Sequence, residues 1–209
     1  MMNWRDIQTD IAQCNECVSR WSGYISNPLT VGEIPDPPSQ IRILFVGVAP
    51  TNLSGRNQGT HFYSSPTDNL RRALFTLLMD YFSIPLRTES LPENNAIFHS
   101  HGYFFVHAGK VRPVGQNAPP PEALTFCAHR HLETEIQYLA PLAICFLGMT
   151  NLRDVAASLF PRAITDLPTH TSIGNWIGWV ALAPQPVRGN QERTQDVIEH
   201  LLRLTASSS

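Results

Sequence analysis

The sequence predicts an α/β protein, a three-layer α/β/α sandwich around a central four-stranded parallel sheet. Three observations carry that expectation. Four short, nearly continuous apolar runs recur along the chain, as strands covered on both faces of a parallel sheet require. Segments of helical periodicity separate them. The chain is 43% hydrophobic and 15% charged, enough apolar content for one buried core.

The strand runs are residues 41–47, 103–106, 142–148 and 176–182. Residues 68–82 place Leu70, Leu74, Leu77 and Leu78 on one helical face, with Arg71 and Arg72 elsewhere. Residues 121–139 begin with proline, which suits a first helical turn. There Leu124, Cys127, His131, Leu132, Glu135 and Leu139 recur at three- and four-residue steps. Residues 151–160 and 194–204 complete the helices. One domain is expected over residues 1–205, with 206–209 as a frayed tail. The 17 prolines lie between the periodic segments and indicate long ordered loops.

No run of about 18 apolar residues occurs, so no membrane helix is expected. The first ten residues are polar and contain acids rather than being signal-like, which points to a cytoplasmic protein; a monomer is expected. Cysteines in that compartment serve as thiols or metal ligands more often than as disulfides. The net charge of -2 gives no bulk attraction for phosphate, so any DNA site must be a local patch. Arg56, Lys110, Arg112, Arg188 and Arg193 are the residues expected to form it. There is no Gly-x4-Gly-Lys-Ser/Thr loop and no serine nucleophile elbow, which disfavours a nucleotide or ester hydrolase.

Ligands of open α/β sheets bind at the carboxyl ends of strands. The loops after Gly47, Val106, Gly148 and Leu182 are therefore the informative ones. The first contains Gly47, Ala49 and Pro50, then Gly59 and Phe62. The second contains Lys110, Arg112, Pro113, Gly115, Pro119, Pro121 and Glu122, followed by Cys127. The third strand ends in Leu147-Gly148, and the last loop holds Pro184, Arg188 and Asn190.

In this order the motifs resemble those of the family 4 and family 5 uracil-DNA glycosylases. The resemblance covers most of the chain and is strongest from residue 110 to 147. It implies DNA as partner and a damaged base flipped into a pocket. It further implies cleavage of the bond between base and sugar, with negative charge growing on the departing base.

Residue by residue, the resemblance makes Phe62 the aromatic that stacks on the base, with a plain core phenylalanine as the other reading. Gly47, Ala49 and Pro50 would line the base. His107 stands where the family has a base-reading asparagine, as base reader or as a bland loop histidine. Ala183 replaces a histidine that stabilises the leaving base. The water-positioning carboxylate has no obvious counterpart. Asn52, Asn57 and Asp68 are candidates, and Asp68 also suits a helix N-cap. Lys110, Arg112, Arg188 and Asn190 would meet the DNA backbone, or simply be solvated.

Cys14, Cys17 and Cys127 match three of the four cysteines that hold the iron–sulfur cluster of family 4, and Val111 replaces the fourth. His131, one turn beyond Cys127, would complete a set for zinc or for an altered cluster. With Val111 in place, loss of the metal is the other outcome. Two functions follow: an N-glycosylase with altered chemistry, or a non-catalytic binder of nucleic acid or nucleobase on the same fold.

Overall fold

The computed structural model describes residues 3–23, 25–53, 57–86, 90–113, 119–187 and 189–206, without the side chains of 25–27, 51–53, 57–60 and 113. Arg56, Gly115 and Arg188 lie outside the described residues, as do the side chains of Asn52, Asn57 and Pro113.

The chain opens with α1 (Trp4–Gln13), started by a capping box between Asn3 and Asp6. Such a box satisfies two backbone donors that a helix start leaves open. The short α2 (Glu16–Arg20) and β1 (Ile25–Pro28) follow. The apolar run at 41–47 forms β2 (Ile43–Gly47), buried throughout. A small hairpin of β3 (Thr51–Leu53) and β4 (Asn57–Thr60) leads to α3 (Asn69–Phe82). Next come α4 (Leu91–Ser100), β5 (Tyr103–His107) and β6 (Val111–Pro113), the last pairing antiparallel with β1.

The predicted helix at 121–139 is one rod of three parts: α5 (Pro121–Cys127), a π turn at Ala128–Leu132, and α6 (Glu133–Leu139). Then follow β7 (Ala143–Leu147), α7 (Met149–Leu159), β8 (Thr169–Ile173), β9 (Trp176–Ala183) and α8 (Gln191–Ala206).

The main sheet has the order β5-β2-β7-β9-β8. Its first four strands are the four predicted ones, and they run parallel. The fifth, β8, adds an antiparallel edge that the reading of apolar runs omits. Its burial alternates, as in a strand with one wet face, so it never forms an apolar run. A two-residue Gly174-Asn175 link with Gly174 at φ +53 joins it to β9. That hairpin signature was readable.

Helices α3, α4 and α8 cover one face of the sheet, and α1, the 121–139 rod and α7 cover the other. Phe45, Phe62, Phe75 and Phe98 cluster beneath α3 and α4. Arg71 is a correction: expected off the apolar face of its helix, it is 2% exposed. Its guanidinium donates to the Phe62 carbonyl (3.0 Å) and to Asn95 (2.8 Å), and it lies 4.2 Å from the Phe75 ring centroid. Among the described residues no helix is long and apolar enough to cross a membrane.

Candidate functional site

The parallel strands end on one rim. Beyond β2 and β5 the chain keeps its pairing, with Ala108 N–H donating to the Gly47 carbonyl and Gly109 N–H to the Val48 carbonyl, both at 2.8 Å. Gly148 N–H donates to the Ala183 carbonyl, also at 2.8 Å. A Cβ on Gly148 would lie 3.4 Å from Val48 Cγ2 and 3.8 Å from Gln185 Nε2. The loops after β2, β5, β7 and β9 thus meet at van der Waals distance. A separate groove of about 810 Å³ opens at the opposite rim, beside Arg42, His99, His101 and Thr205. There the Arg42 guanidinium is occupied by Thr205 and the Leu202 carbonyl.

Gly47 is required by packing. A Cβ there would come within 2.6 Å of Phe105 Cζ and 3.3 Å of His107 Cδ2. The two residues after Gly47 on this rim, Val48 and Ala49, line the contact with Gly148 and Gly109, and Pro50 is buried.

His107 ends β5 with its ring buried and its Nδ1 without a hydrogen-bond partner among the described residues. Burial, then the fields of His61, Lys110 and Arg112, hold its pKa well below the ordinary 6.5. The imidazole is therefore neutral, with one donor and one acceptor nitrogen.

His61 lies across from it, ring centroids 5.0 Å apart and planes at 69°. His61 closes a tight turn: its carbonyl accepts from Ser64 N–H at 2.9 Å and from Ser65 N–H at 3.2 Å. Tyr63, two residues on, accepts at its hydroxyl from Phe105 N–H at 2.8 Å, which satisfies the outer edge of β5.

Phe62 between them is 1% exposed. Its ring stacks on Phe105 with centroids 4.0 Å apart and planes 8° apart. Phe75 and Phe98 close around it. In this arrangement the ring presents no open face to a base, and the core reading of Phe62 describes its packing.

Two expected phosphate contacts are engaged within the protein. Lys110 is 1% exposed. Its ammonium is ion-paired to the buried Glu135 and donates to the His107 carbonyl. Arg112 is ion-paired to Glu33 and also donates to the Pro28 carbonyl at 3.4 Å. In both cases a carboxylate distant in sequence, buried for Glu135 and part-exposed for Glu33, pairs with the cation, which sequence spacing does not reveal. Arg193 is exposed but 3.7 Å from Asp166. The local basic face is therefore not formed by the described members of that set. Asn190 precedes α8, and its carbonyl accepts from Thr194 N–H at 3.1 Å and Thr194 Oγ1 at 2.9 Å. That is the work of a helix start.

Asp68 is the N-cap of α3, accepting from Arg71 N–H at 2.8 Å. Burial raises its pKa while the capping N–H groups lower it. To place water it would have to abandon the cap.

The family model described as the uracil DNA glycosylase superfamily matches residues 35–203. The chain belongs to that superfamily. A search of curated proteins returns no significant match.

Membership sharpens two departures at this superfamily site. Ala183, where the sequence resemblance expects a histidine, is fully buried, and its methyl donates nothing. The cysteines do not rebuild a metal site either. Cys17 and Cys127 are in hydrogen-bond reach of one another, and the Cys127 thiol draws the Cys17 pKa down. Val111, which the resemblance places at the fourth ligand position, is buried in the same small cluster as both.

His131 does not join them. The π turn resets the helical phase after Cys127, and His131 Nδ1 lies 3.4 Å from the Asp10 carboxylate. No three of the described His, Cys, Asp or Glu side chains are placed to hold a metal ion. The expected set of Cys14, Cys17, Cys127 and His131 is therefore not assembled as a metal site among the described residues.

His61, Tyr63 and Arg71, which the structure brings beside these loops, were not among the expected site residues. A histidine directly before Phe62 in a matched loop was the available signal for the first. Arg71 gave none, because its partners come from other elements.

Proposed function

We propose that this protein is a DNA N-glycosylase-like protein that takes a flipped-out damaged base at the carboxyl rim of its sheet. The base is uracil or another deaminated or modified base, and the bond attacked is the one joining it to the sugar. The observation that carries the reading is His107: a neutral, buried imidazole beside Gly47 whose Nδ1 has no partner among the described residues. Buried polar groups normally find a partner, and a ligand edge would supply one. Imidazole presents donor and acceptor on opposite sides, unlike an amide, so the preferred base need not be uracil. Superfamily membership supports DNA as the partner.

Turnover should be slow. A missing donor to the departing group typically lowers a rate by roughly 100- to 1000-fold, and Ala183 supplies none. The same residue favours a second reading, binding of the lesion without cleavage.

One experiment separates them. Single- and double-stranded oligonucleotides bearing uracil, hypoxanthine, xanthine or hydroxymethyluracil are incubated with the protein, then assayed for abasic sites and for retained complex. Abasic sites on one lesion support hydrolysis, and selective retention without them supports the binder. Equal, weak binding to all oligonucleotides with no abasic sites removes both.

A further inference from the structure

We propose that His61 donates a hydrogen bond from Nε2 to the base held at this rim, on the β5 side beside His107. The proposal rests on the base-binding reading above and adds a named contact to it.

The tautomer follows from the hydrogen bonds. Tyr63 N–H donates to His61 Nδ1 at 3.3 Å, so that nitrogen carries no proton. The ring is fully buried, and burial together with the nearby Arg112 and Lys110 charges pulls its pKa down to about 3. A neutral imidazole has one proton, and here it must sit on Nε2. That N–H is buried and has no partner among the described residues. A histidine kept for structure alone would be expected to pair both nitrogens.

The ring is also held in advance. Ser64 and Ser65 N–H groups fix the His61 carbonyl, and Arg71 fixes the next one at Phe62. A donor oriented before the ligand arrives needs no reorganisation when charge develops on the base. Its acceptor would be a ring carbonyl oxygen, as in uracil or hypoxanthine. The facing His107 ring is 5.0 Å away, so the two imidazoles would meet the same base.

The test uses the full chain and a single-stranded oligonucleotide carrying one deoxyuridine or deoxyinosine, against the undamaged oligonucleotide. His61→Leu removes the donor, and His61→Gln retains one. The lesion preference should fall about tenfold in His61→Leu and stay within about threefold in His61→Gln. Imidazole nitrogen-15 spectra of the unaltered protein should show His61 as the Nε2–H tautomer, shifting when the damaged oligonucleotide is added. Thermal melting verifies that each variant folds, and the spectra decide the matter if His61→Leu does not.

An Nδ1–H tautomer overturns the proposal. So does a lesion preference that both variants keep in full. If the unaltered chain shows no lesion preference, the base-binding reading itself falls, and the role of His61 falls with it.

Discussion

His61 and His107 meet edge to face, their ring centroids 5.0 Å apart, and each keeps one buried nitrogen unbonded within the described protein. They arrive from different strands, His107 at the end of β5 and His61 just after β4. Both are held neutral chiefly by burial. Two neutral imidazoles in contact have consequences for stability as well as for binding.

Acid should weaken the fold early. The folded pKa values lie below the ordinary 6.5, at about 3 for His61, about 4 for His131 and well below 6.5 for His107. An unfolded chain therefore takes up protons that the folded chain refuses. The stabilisation is complete above pH 6.5 and is lost as pH falls, down to about 4 for His131 and about 3 for His61. Each such histidine contributes about 1.4 kcal/mol per pH unit in that window. Glu135 and Asp68, whose pKa values are raised mainly by burial, oppose the trend at its acid end. Urea unfolding should give a clearly lower stability at about pH 5 than at about pH 7. A flat profile would contradict the buried, neutral state of these rings.

Gly47→Ala should destabilise the sheet rim. The added methyl would overlap Phe105 Cζ at 2.6 Å, and overpacking of this kind costs about 1–3 kcal/mol. For a chain of this size that is a melting shift of roughly 2–12 °C. An unchanged melting temperature would mean that the Phe105 and His107 rings have room to move aside.

Lys110→Met should cost about 3–5 kcal/mol by stranding the Glu135 carboxylate, and Lys110→Met with Glu135→Leu should recover most of it. Denaturant unfolding reads both. The double variant should also keep the salt dependence of DNA binding, because Lys110 is not placed to touch phosphate. A shallower salt slope would restore Lys110 as a phosphate contact.

Protein prepared without oxygen should carry well under one iron or zinc per chain by elemental analysis. Val111 stands where the resemblance expects the fourth ligand, and His131 faces Asp10. A stoichiometric metal would show that these groups rearrange around it.

The four parallel strands and the helices at 68–82, 121–139, 151–160 and 194–204 were legible because hydrophobic burial writes itself into local periodicity. The superfamily was legible too, since its motifs keep their order along the chain. Helices α1, α2 and α4 and the edge strand β8 were not identified, because short or one-sided elements leave a weaker pattern. The site was legible as a set of loops but not as a set of roles. Lys110 and Arg112 read as phosphate contacts until Glu135 and Glu33, distant in sequence, are brought against them.

Sequence alone determined the four parallel strands, the main helices between them and the superfamily. Only the tertiary structure decided which charges are spent internally, that Phe62 is stacked on Phe105, and that two histidine nitrogens remain unsatisfied. The reason is physical. Periodicity reports which face of an element is dry, but hydrogen bonding and ion pairing in the interior depend on partners that folding alone brings within about 3 Å.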